Sequence, residues 1–242
     1  MGAPKRASRK RNSPTTHNSN VVDIKQFTKK QIVNIIPRNK NQETYVLTLL
    51  DEQKDIVFGI GPAGTGKTLL AVQVAVKLFK EGKVDKIIVT RPAVSVDEDL
   101  GHLPGTLEEK MAPWTRPIFD VLKEYFNARE LQGMIEEGVI EISPLAYMRG
   151  RTFKNSFILA DEMQNATPNQ MKMLLTRLGE GAMMAVTGDL NQADRLKDNG
   201  LIDFVRRLEK VNQPCLEVVR FNQGDIERHN AVKAVLNVYG DE

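Results

Sequence analysis

The sequence predicts an α/β fold in which a mostly parallel sheet carries helices on both faces. Short apolar runs typical of buried strands recur along the chain, separated by segments with helical spacing. One of these runs leads into a glycine-rich loop that is followed by an apolar helical segment. With 242 residues, of which 41% are hydrophobic, the chain is long enough to bury a substantial core.

The N-terminal part differs in composition from the rest of the chain. Residues 1–20 carry five basic and no acidic residues, so the remainder holds −2 of the formal net charge of +3. We expect a disordered basic tail over 1–20, a small extension over 21–41 and the main domain over 42–242. The tail suits either a non-specific contact with nucleic-acid phosphates or a solubilising role, and composition leaves both open.

Targeting signals and cysteine content indicate the compartment. No apolar run approaches the ~20 residues that span a bilayer, and the N-terminus lacks the apolar region of a secretory signal. The single cysteine, Cys215, cannot form an internal disulfide, which suits a reducing compartment. We therefore expect a cytoplasmic protein without a membrane partner.

The glycine-rich loop fits the pattern G-x-x-x-x-G-K-[ST] of a phosphate-binding loop, or P-loop. It consists of Gly61, Pro62, Ala63, Gly64, Thr65, Gly66, Lys67 and Thr68. Its glycines let several backbone N–H groups point into one cavity, where the dipole of the following helix also favours an anion. Lys67 is predicted to reach the β- and γ-phosphates, and Thr68 to bind Mg²⁺ through its hydroxyl. The loop predicts binding of a nucleoside triphosphate.

The remaining elements are predicted from apolar patterns and capping residues. Six strands are expected at 56–60, 86–90, 139–143, 157–160, 182–187 and 216–221. Helices are expected at 42–53, after the P-loop, at 118–126, from Thr167 with Pro168 in its first turn, and from Asp225 to the C-terminus. The long segment 95–117 is predicted to be an insertion within the domain. Such insertions are usually functional or contact a partner.

An acidic pair ends the fourth of these strands. Asp161 is predicted to hold Mg²⁺ beside Thr68, and Glu162 to orient or deprotonate an attacking water. Gln164 follows closely and could sense the γ-phosphate or position that water. A kinase would need to exclude water from the site, so the acidic pair favours hydrolysis over phosphate transfer.

Other candidate nucleotide contacts lie on either side of these motifs. Gln42 and Tyr45 precede the P-loop, where a side-chain amide and a ring could recognise adenine, although most such residues are a helix surface and a core aromatic. Asp189 and Gln192 lie in a polar loop after the fifth strand and could couple the phosphate state to a bound nucleic acid.

Two further segments carry candidate nucleic-acid contacts. Thr90 and Arg91 end the second strand, and ligands of open parallel sheets meet the carboxyl ends of strands. Arg149 and Arg151 flank a glycine next to aromatic residues, an arrangement that suits a phosphate or a subunit contact. A capped strand end with surface arginines would have the same sequence.

Together these motifs resemble a known family. The P-loop and the segments 90–92, 161–165 and 188–192 look like motifs I, Ia, II and III of superfamily 1 helicases. The segments 103–105, 149–153 and 225–229 resemble more particularly the PhoH-like family of ATPases with one RecA-like domain and proposed RNA helicase activity.

The resemblance implies a RecA-type ATPase domain that uses ATP and Mg²⁺ and assembles into a homo-oligomeric ring, a hexamer in this family. It also favours single-stranded RNA over DNA as partner. Because the chain is too short for a second RecA-like domain, a neighbouring subunit would have to supply an arginine finger, for which Arg228 and Arg220 are the candidates. The alternative function is an ATP-dependent switch that recruits a protein partner without unwinding strands.

Overall fold

The fold is a single parallel sheet with helices on both faces. A computed structural model describes residues 32–92, 107–190 and 199–239. All strand pairs in the sheet are parallel, and the order is β3-β2-β4-β5-β1-β6. The strands are β1 (Ile56–Ile60), β2 (Lys86–Thr90), β3 (Ile140–Ile142), β4 (Ser156–Ala160), β5 (Met183–Gly188) and β6 (Leu216–Arg220). This is the RecA-like P-loop architecture that the sequence predicts.

Seven α-helices and short 3₁₀ turns connect the strands in the described regions. The helices are α1 (Lys40–Leu50), α2 (Lys67–Lys80), α3 (Leu107–Lys123), α4 (Ala128–Glu136), α5 (Pro168–Leu175), α6 (Gly200–Leu208) and α7 (Asn230–Tyr239). The 3₁₀ turns are Leu145–Met148, Met163–Asn165 and Gln223–Asp225. Among these residues, no helix combines the length and apolar character needed to span a bilayer.

The core consists of two apolar layers, one on each face of the sheet. Strand β1 shows the alternation: Val57 belongs to the layer under α1 to α4, whereas Ile56 and Phe58 belong to the layer under α5 and α6. All five residues of β1 are buried, as expected for a parallel strand covered on both faces. Parallel strands end at the same edge, so the chemistry of all six carboxyl ends is gathered there.

The predicted strands are confirmed to within two residues, whereas several helices differ. Helix α1 begins at Lys40, two residues earlier than predicted, because the Asn39 side chain caps it by accepting from the Gln42 N–H. Thr167 caps α5 in a capping box as predicted. Helices α4 and α6 were not predicted, although Asn127 and Asn199 cap them in the same way.

Two predicted helix starts were wrong. Helix α3 begins at Leu107 and not at 118, within the long segment 95–117, of which 95–106 lie outside the described residues. Asp225 does not open the terminal helix, because its carboxylate accepts hydrogen bonds from Asn41 and from the Asn222 N–H. The chain makes a 3₁₀ turn there and becomes α-helical at Asn230.

Candidate nucleotide-binding site

The P-loop connects β1 to α2 and wraps around a cavity of about 250 Å³. Gly64 and Gly66 both have φ of +82°, the left-handed region that favours glycine. The loop therefore turns its backbone towards the first turn of α2, whose N-terminus lies at the cavity. The cavity is lined by Ala63, Gly64, Gly66, Lys67, Thr68, Leu69, Asp161, Glu162, Thr187, Gly188 and Asp189.

Lys67 is the buried cation of this cavity. Its Nζ donates to the carbonyl oxygens of Gly61 (2.7 Å) and Pro62 (2.6 Å), and its side chain reaches the Thr65 hydroxyl at 3.2 Å. Burial lowers the pKa of the Lys67 ammonium below its usual value, and nearby carboxylates partly offset this. The positive charge is thus held at the loop by carbonyl oxygens, which an incoming phosphate oxygen can replace.

Asp161 lies where β4 ends and joins the P-loop to β5. Its Oδ1 accepts from the Thr68 hydroxyl at 2.7 Å and from the Thr187 hydroxyl. Its backbone N–H donates to the carbonyl of Thr90 at 2.9 Å, which fixes the strand end. A hydroxyl and one carboxylate at hydrogen-bond distance are the donor set by which Mg²⁺ is usually held next to phosphates.

Glu162 adopts a backbone conformation that is rare for its residue type. Its φ of +55° places it in the left-handed region, where a non-glycine residue costs about 1–3 kcal/mol and which is enriched at functional sites. The Nε2 of Gln164 donates to the Glu162 carboxylate, and the Oε1 of Gln164 accepts from the Asp189 N–H at 3.2 Å. Gln164 is 1% exposed, so it links the ends of β4 and β5 from within the core.

Asp189 connects the end of β5 to the P-loop. Its Oδ2 accepts from the Ala63 N–H at 3.1 Å, and the residue is 6% exposed. Asp189 thus lines the P-loop cavity, whereas Gln192, the other candidate of this segment, lies outside the described residues.

A second cavity of about 660 Å³ adjoins the first along Gly64, Gly66 and Leu69. It is lined on its other sides by Asn34, Ile36, Arg38, Gln42, Leu70, Gln73, Glu124, Tyr125 and Glu227. Two apolar side chains are exposed in it, Ile36 at 78% and Leu69 at 42%. A flat apolar base and its ribose would fit beside the phosphate cavity here.

Gln42 and Tyr45, the two candidate adenine contacts, are both held by other parts of the protein. The Oε1 of Gln42 accepts from the Arg38 N–H at 2.8 Å, and its Nε2 donates to the Thr65 carbonyl of the P-loop at 3.1 Å. Gln42 therefore braces the loop. Tyr45 is fully buried behind β1 with its ring edge against Phe221, so it cannot stack on a base. Burial raises the pKa of Tyr45.

The two candidate finger arginines lie in different surroundings. A Cβ added at Gly64 would be 3.1 Å from the Nε of Arg228, so this side chain covers the P-loop of its own chain. The neighbouring Glu227 N–H donates to the Gly64 carbonyl at 3.0 Å. Arg220 ends β6 and pairs with the Glu209 carboxylate on the exposed surface.

The four predicted nucleic-acid residues differ in exposure and in their partners. Thr90 is 0% exposed, and its hydroxyl has no hydrogen-bond partner in the described part of the chain, so it cannot contact a nucleic acid in this conformation. Arg151 binds Glu141 through both terminal nitrogens and lies over the Phe153 ring. Arg149 is exposed at the end of the 3₁₀ turn, and Arg91 is half-buried after β2.

Sequence reasoning missed two contributors to the site. Thr187 was taken only as a strand residue, although its hydroxyl donates to Asp161. Asn199 donates from its side chain to the Gln164 carbonyl at 2.8 Å and caps α6. The first could have been found from its position at a strand end, beside the acidic pair of the neighbouring strand. The second depends on a contact between positions 35 residues apart, which leaves no local pattern.

Comparison with known proteins agrees with this geometry. The chain is 45% identical over 204 residues to a PhoH-like protein of Bacillus subtilis, covering 84% of this chain and 63% of that protein. It is 42% identical over 209 residues to Protein PhoH of Escherichia coli K12, covering 85% and 58%. The chain thus spans about 60% of the length of the curated relatives it matches.

A solved structure shares the fold at low sequence identity. The large terminase of bacteriophage HK97 superposes with a TM-score of 0.53 at 12% identity, over 90% of this chain and 50% of that one. The model of the family described as PhoH-like protein matches residues 34–240, which include the P-loop, the acidic pair and Arg228. The chain belongs to the PhoH-like family and has the P-loop fold.

Proposed function

We propose that this protein hydrolyses ATP in a Mg²⁺-dependent reaction and that a single-stranded nucleic acid, with RNA favoured over DNA, stimulates the hydrolysis. The observation that carries the ATPase proposal is that the P-loop, the Thr68–Asp161 pair and Glu162 line one cavity. A phosphate-binding cavity alone would suit many P-loop proteins. The carboxylate of Glu162 beside it adds the group that hydrolysis requires.

The residues present fit both ATP and Mg²⁺. Gly64 and Gly66 adopt left-handed φ values, which let the loop curl around the cavity where phosphate oxygens would bind. Thr68 and Asp161 would hold Mg²⁺, which neutralises phosphate charge when it is bound. The cavity next to the loop has the volume and the apolar side chains for a base and ribose.

The chain's own residues then divide the work of hydrolysis. Lys67 exchanges the Gly61 and Pro62 carbonyls for phosphate oxygens and brings its positive charge to the β- and γ-phosphates. Glu162 accepts a proton from the water that attacks the γ-phosphorus, and Gln164 orients the Glu162 carboxylate through its amide. The buried position of Gln164 between Glu162 and Asp189 would transmit a change at the phosphate to the end of β5.

The nucleic-acid part of the proposal rests on basic residues. Arg149 is exposed at the same edge of the sheet, and the five basic residues of the segment 1–20 have no acidic neighbour within it. Such groups bind phosphates irrespective of sequence. Preference for RNA would require contacts with the 2′-hydroxyl and comes from the family resemblance.

Assembly into a homo-oligomeric ring, a hexamer by family resemblance, belongs to the same proposal. Helix α7 presents Val232, Val235 and Val238 with exposures of 45%, 54% and 85%. An apolar stripe of this kind is the surface that a contact between subunits would cover. Mass measurement of the native protein with and without a non-hydrolysable ATP analogue tests this part.

The decisive experiment measures ATP hydrolysis by the full chain with single-stranded RNA, with single-stranded DNA and with neither. Lys67→Ala and Glu162→Gln are run beside the wild type. Stimulation by RNA that both variants lose supports the proposal, and equal stimulation by DNA removes the preference for RNA. Turnover that neither strand changes would instead support the ATP-dependent switch that recruits a protein partner, and phosphate transfer to an acceptor without water-dependent turnover would indicate a kinase.

A further inference from the structure

We propose that Arg228 binds the phosphate chain of the nucleotide held by its own subunit, and that it acts on nucleotide affinity and not as a finger in a neighbouring site. The inference rests on the proposed nucleotide site and deepens it. Arg228 lies next to Gly64, the residue that borders both the phosphate cavity and the adjoining larger cavity. A group at this position meets the phosphate chain between the base and the γ-phosphate.

The backbone around Arg228 is fastened to the P-loop. The Glu227 N–H donates to the Gly64 carbonyl at 3.0 Å, and the Ile226 side chain lies 3.4 Å from a Cβ built at Gly64. The main-chain bond of Glu227 holds the Cα of Arg228 beside the P-loop of its own chain, and the Arg228 side chain lies against Gly64 from there.

Asp225 is the residue that fixes this arrangement. It is 6% exposed and accepts from the Asn41 side chain and the Asn222 N–H, each at 2.8 Å. Asn39 also donates to the Asp225 carbonyl at 3.4 Å. The first turn of α1, which braces the P-loop through Gln42, is therefore tied to the segment that carries Arg228. The P-loop is held from both sides.

The electrostatic surroundings of Arg228 favour an anion. No carboxylate of the described residues lies within ion-pair distance of its guanidinium, in contrast to Arg207 and Arg220, which are both paired. Arg228 is half-buried, so its charge is less screened by water than that of an exposed arginine. A guanidinium forms two directed hydrogen bonds with phosphate oxygens, which makes phosphate its natural partner.

The test separates an effect on affinity from an effect on turnover. Arg228→Ala and Arg228→Lys are compared with the wild type in ADP binding and in ATP hydrolysis. Loss of a charged hydrogen bond predicts a Kd for ADP and a KM for ATP that rise about tenfold in Arg228→Ala, with kcat within about twofold and partial recovery in Arg228→Lys. Arg129→Ala, on the exposed side of α4, is the matched control and is expected to match the wild type.

A double variant tests whether Asp225 acts through Arg228. Asp225→Asn keeps the shape of the side chain and should weaken ADP binding in the same direction by about threefold. If it acts by positioning Arg228, the combination with Arg228→Ala binds ADP no more weakly than Arg228→Ala alone. Additive losses would show that Asp225 is only structural, and thermal unfolding of each variant shows whether the fold is retained.

Mixing experiments complete the test. Equimolar Arg228→Ala and Glu162→Gln proteins should give no more hydrolysis than the two variants measured separately. Restored activity, or a fall in kcat with an unchanged Kd for ADP, would overturn the inference in favour of a finger in trans. If the wild type binds ADP but hydrolyses no ATP, the proposed function fails while the ADP measurements still decide the role of Arg228.

Discussion

The carboxyl edge of the sheet has two halves that behave differently. In the half formed by β4, β5 and β1, the side chains of the P-loop, the acidic pair and the end of β5 are hydrogen-bonded to one another. In the half formed by β2 and β3, Thr90 is buried, Arg151 is paired with Glu141, and Arg149 is exposed. Binding of phosphate and a metal ion requires several residues in one place, whereas a nucleic-acid contact requires only an exposed charge.

The largest effect is expected from a substitution at Glu162, in the half formed by β4, β5 and β1. Glu162→Gln keeps the size of the side chain and removes the proposed base, so kcat should fall by about 10²–10⁴-fold while ATP binding is retained. Rapid-quench hydrolysis and equilibrium ATP binding measure the two quantities separately.

Glu162 contacts Gln164 in the folded protein, so a control is needed for indirect effects. Glu180→Gln, on the exposed loop before β5, has no contact with the cavity and should be indistinguishable from the wild type. A Glu162→Gln protein that retains full kcat would remove Glu162 from the chemistry and with it the argument for hydrolysis over phosphate transfer.

A pair of threonines compares the two halves directly. Thr187 donates its hydroxyl to the charged Asp161, whereas the hydroxyl of Thr90 is buried without a partner among the described residues. Thr187→Val should lower the free energy of unfolding by about 1.5–3 kcal/mol, whereas Thr90→Val should raise it by about 1 kcal/mol, because it removes an unsatisfied polar group. Urea unfolding of both variants gives these differences.

The Thr90 variant also tests a function. If Thr90→Val is less stable than the wild type, or loses stimulation of ATP hydrolysis by nucleic acid at unchanged stability, its hydroxyl has a partner in the working state. The β2–β3 half would then change shape when a nucleic acid binds.

More of the fold than of the candidate site could be predicted from the sequence. All six strands follow from short apolar runs, and the P-loop and Asp161–Glu162 follow from motifs whose residue types are fixed by phosphate and metal chemistry. The position of Arg228 over its own loop does not follow, because it depends on a hydrogen bond between Glu227 and Gly64, which are 163 positions apart. The burial of Thr90 and the pairing of Arg151 do not follow either, because both depend on neighbouring segments that the local sequence does not identify.

A smaller effect is expected at the exposed arginine of the β2–β3 half. Removal of one phosphate contact by Arg149→Ala should weaken binding to single-stranded RNA a few-fold and reduce the salt dependence by about 0.7 per contact. Fluorescence anisotropy at several potassium chloride concentrations measures both. Arg206→Ala, exposed on α6, is the control, and an equal loss in both variants would mean that only net charge matters.

The smallest effect concerns the Glu141–Arg151 pair, which distinguishes a structural arginine from a nucleic-acid contact. The Arg151 guanidinium holds the pKa of Glu141 below its ordinary value of 4.5, and the Nη2–Oε2 distance is 2.8 Å. A carboxylate with a lowered pKa stabilises the folded state above its unfolded pKa, and this contribution is lost as the pH falls through the folded value. Because the pair is partly exposed, Glu141→Gln should cost only about 0.5 kcal/mol at pH 7.

The difference in unfolding free energy between wild type and Glu141→Gln should therefore shrink towards zero as the pH is lowered below about 4. Chemical unfolding at a series of pH values measures this difference.

Glu141→Gln also releases Arg151 from its partner while Arg151 keeps its charge. If Arg151 binds RNA, Glu141→Gln tightens binding and Arg151→Ala weakens it; if the pair is structural, as its two-point geometry indicates, neither variant changes the affinity and both lower stability alike. If the RNA affinity rises in Glu141→Gln and falls in Arg151→Ala, Arg151 contacts the nucleic acid. The two halves of the edge would then no longer differ in this respect.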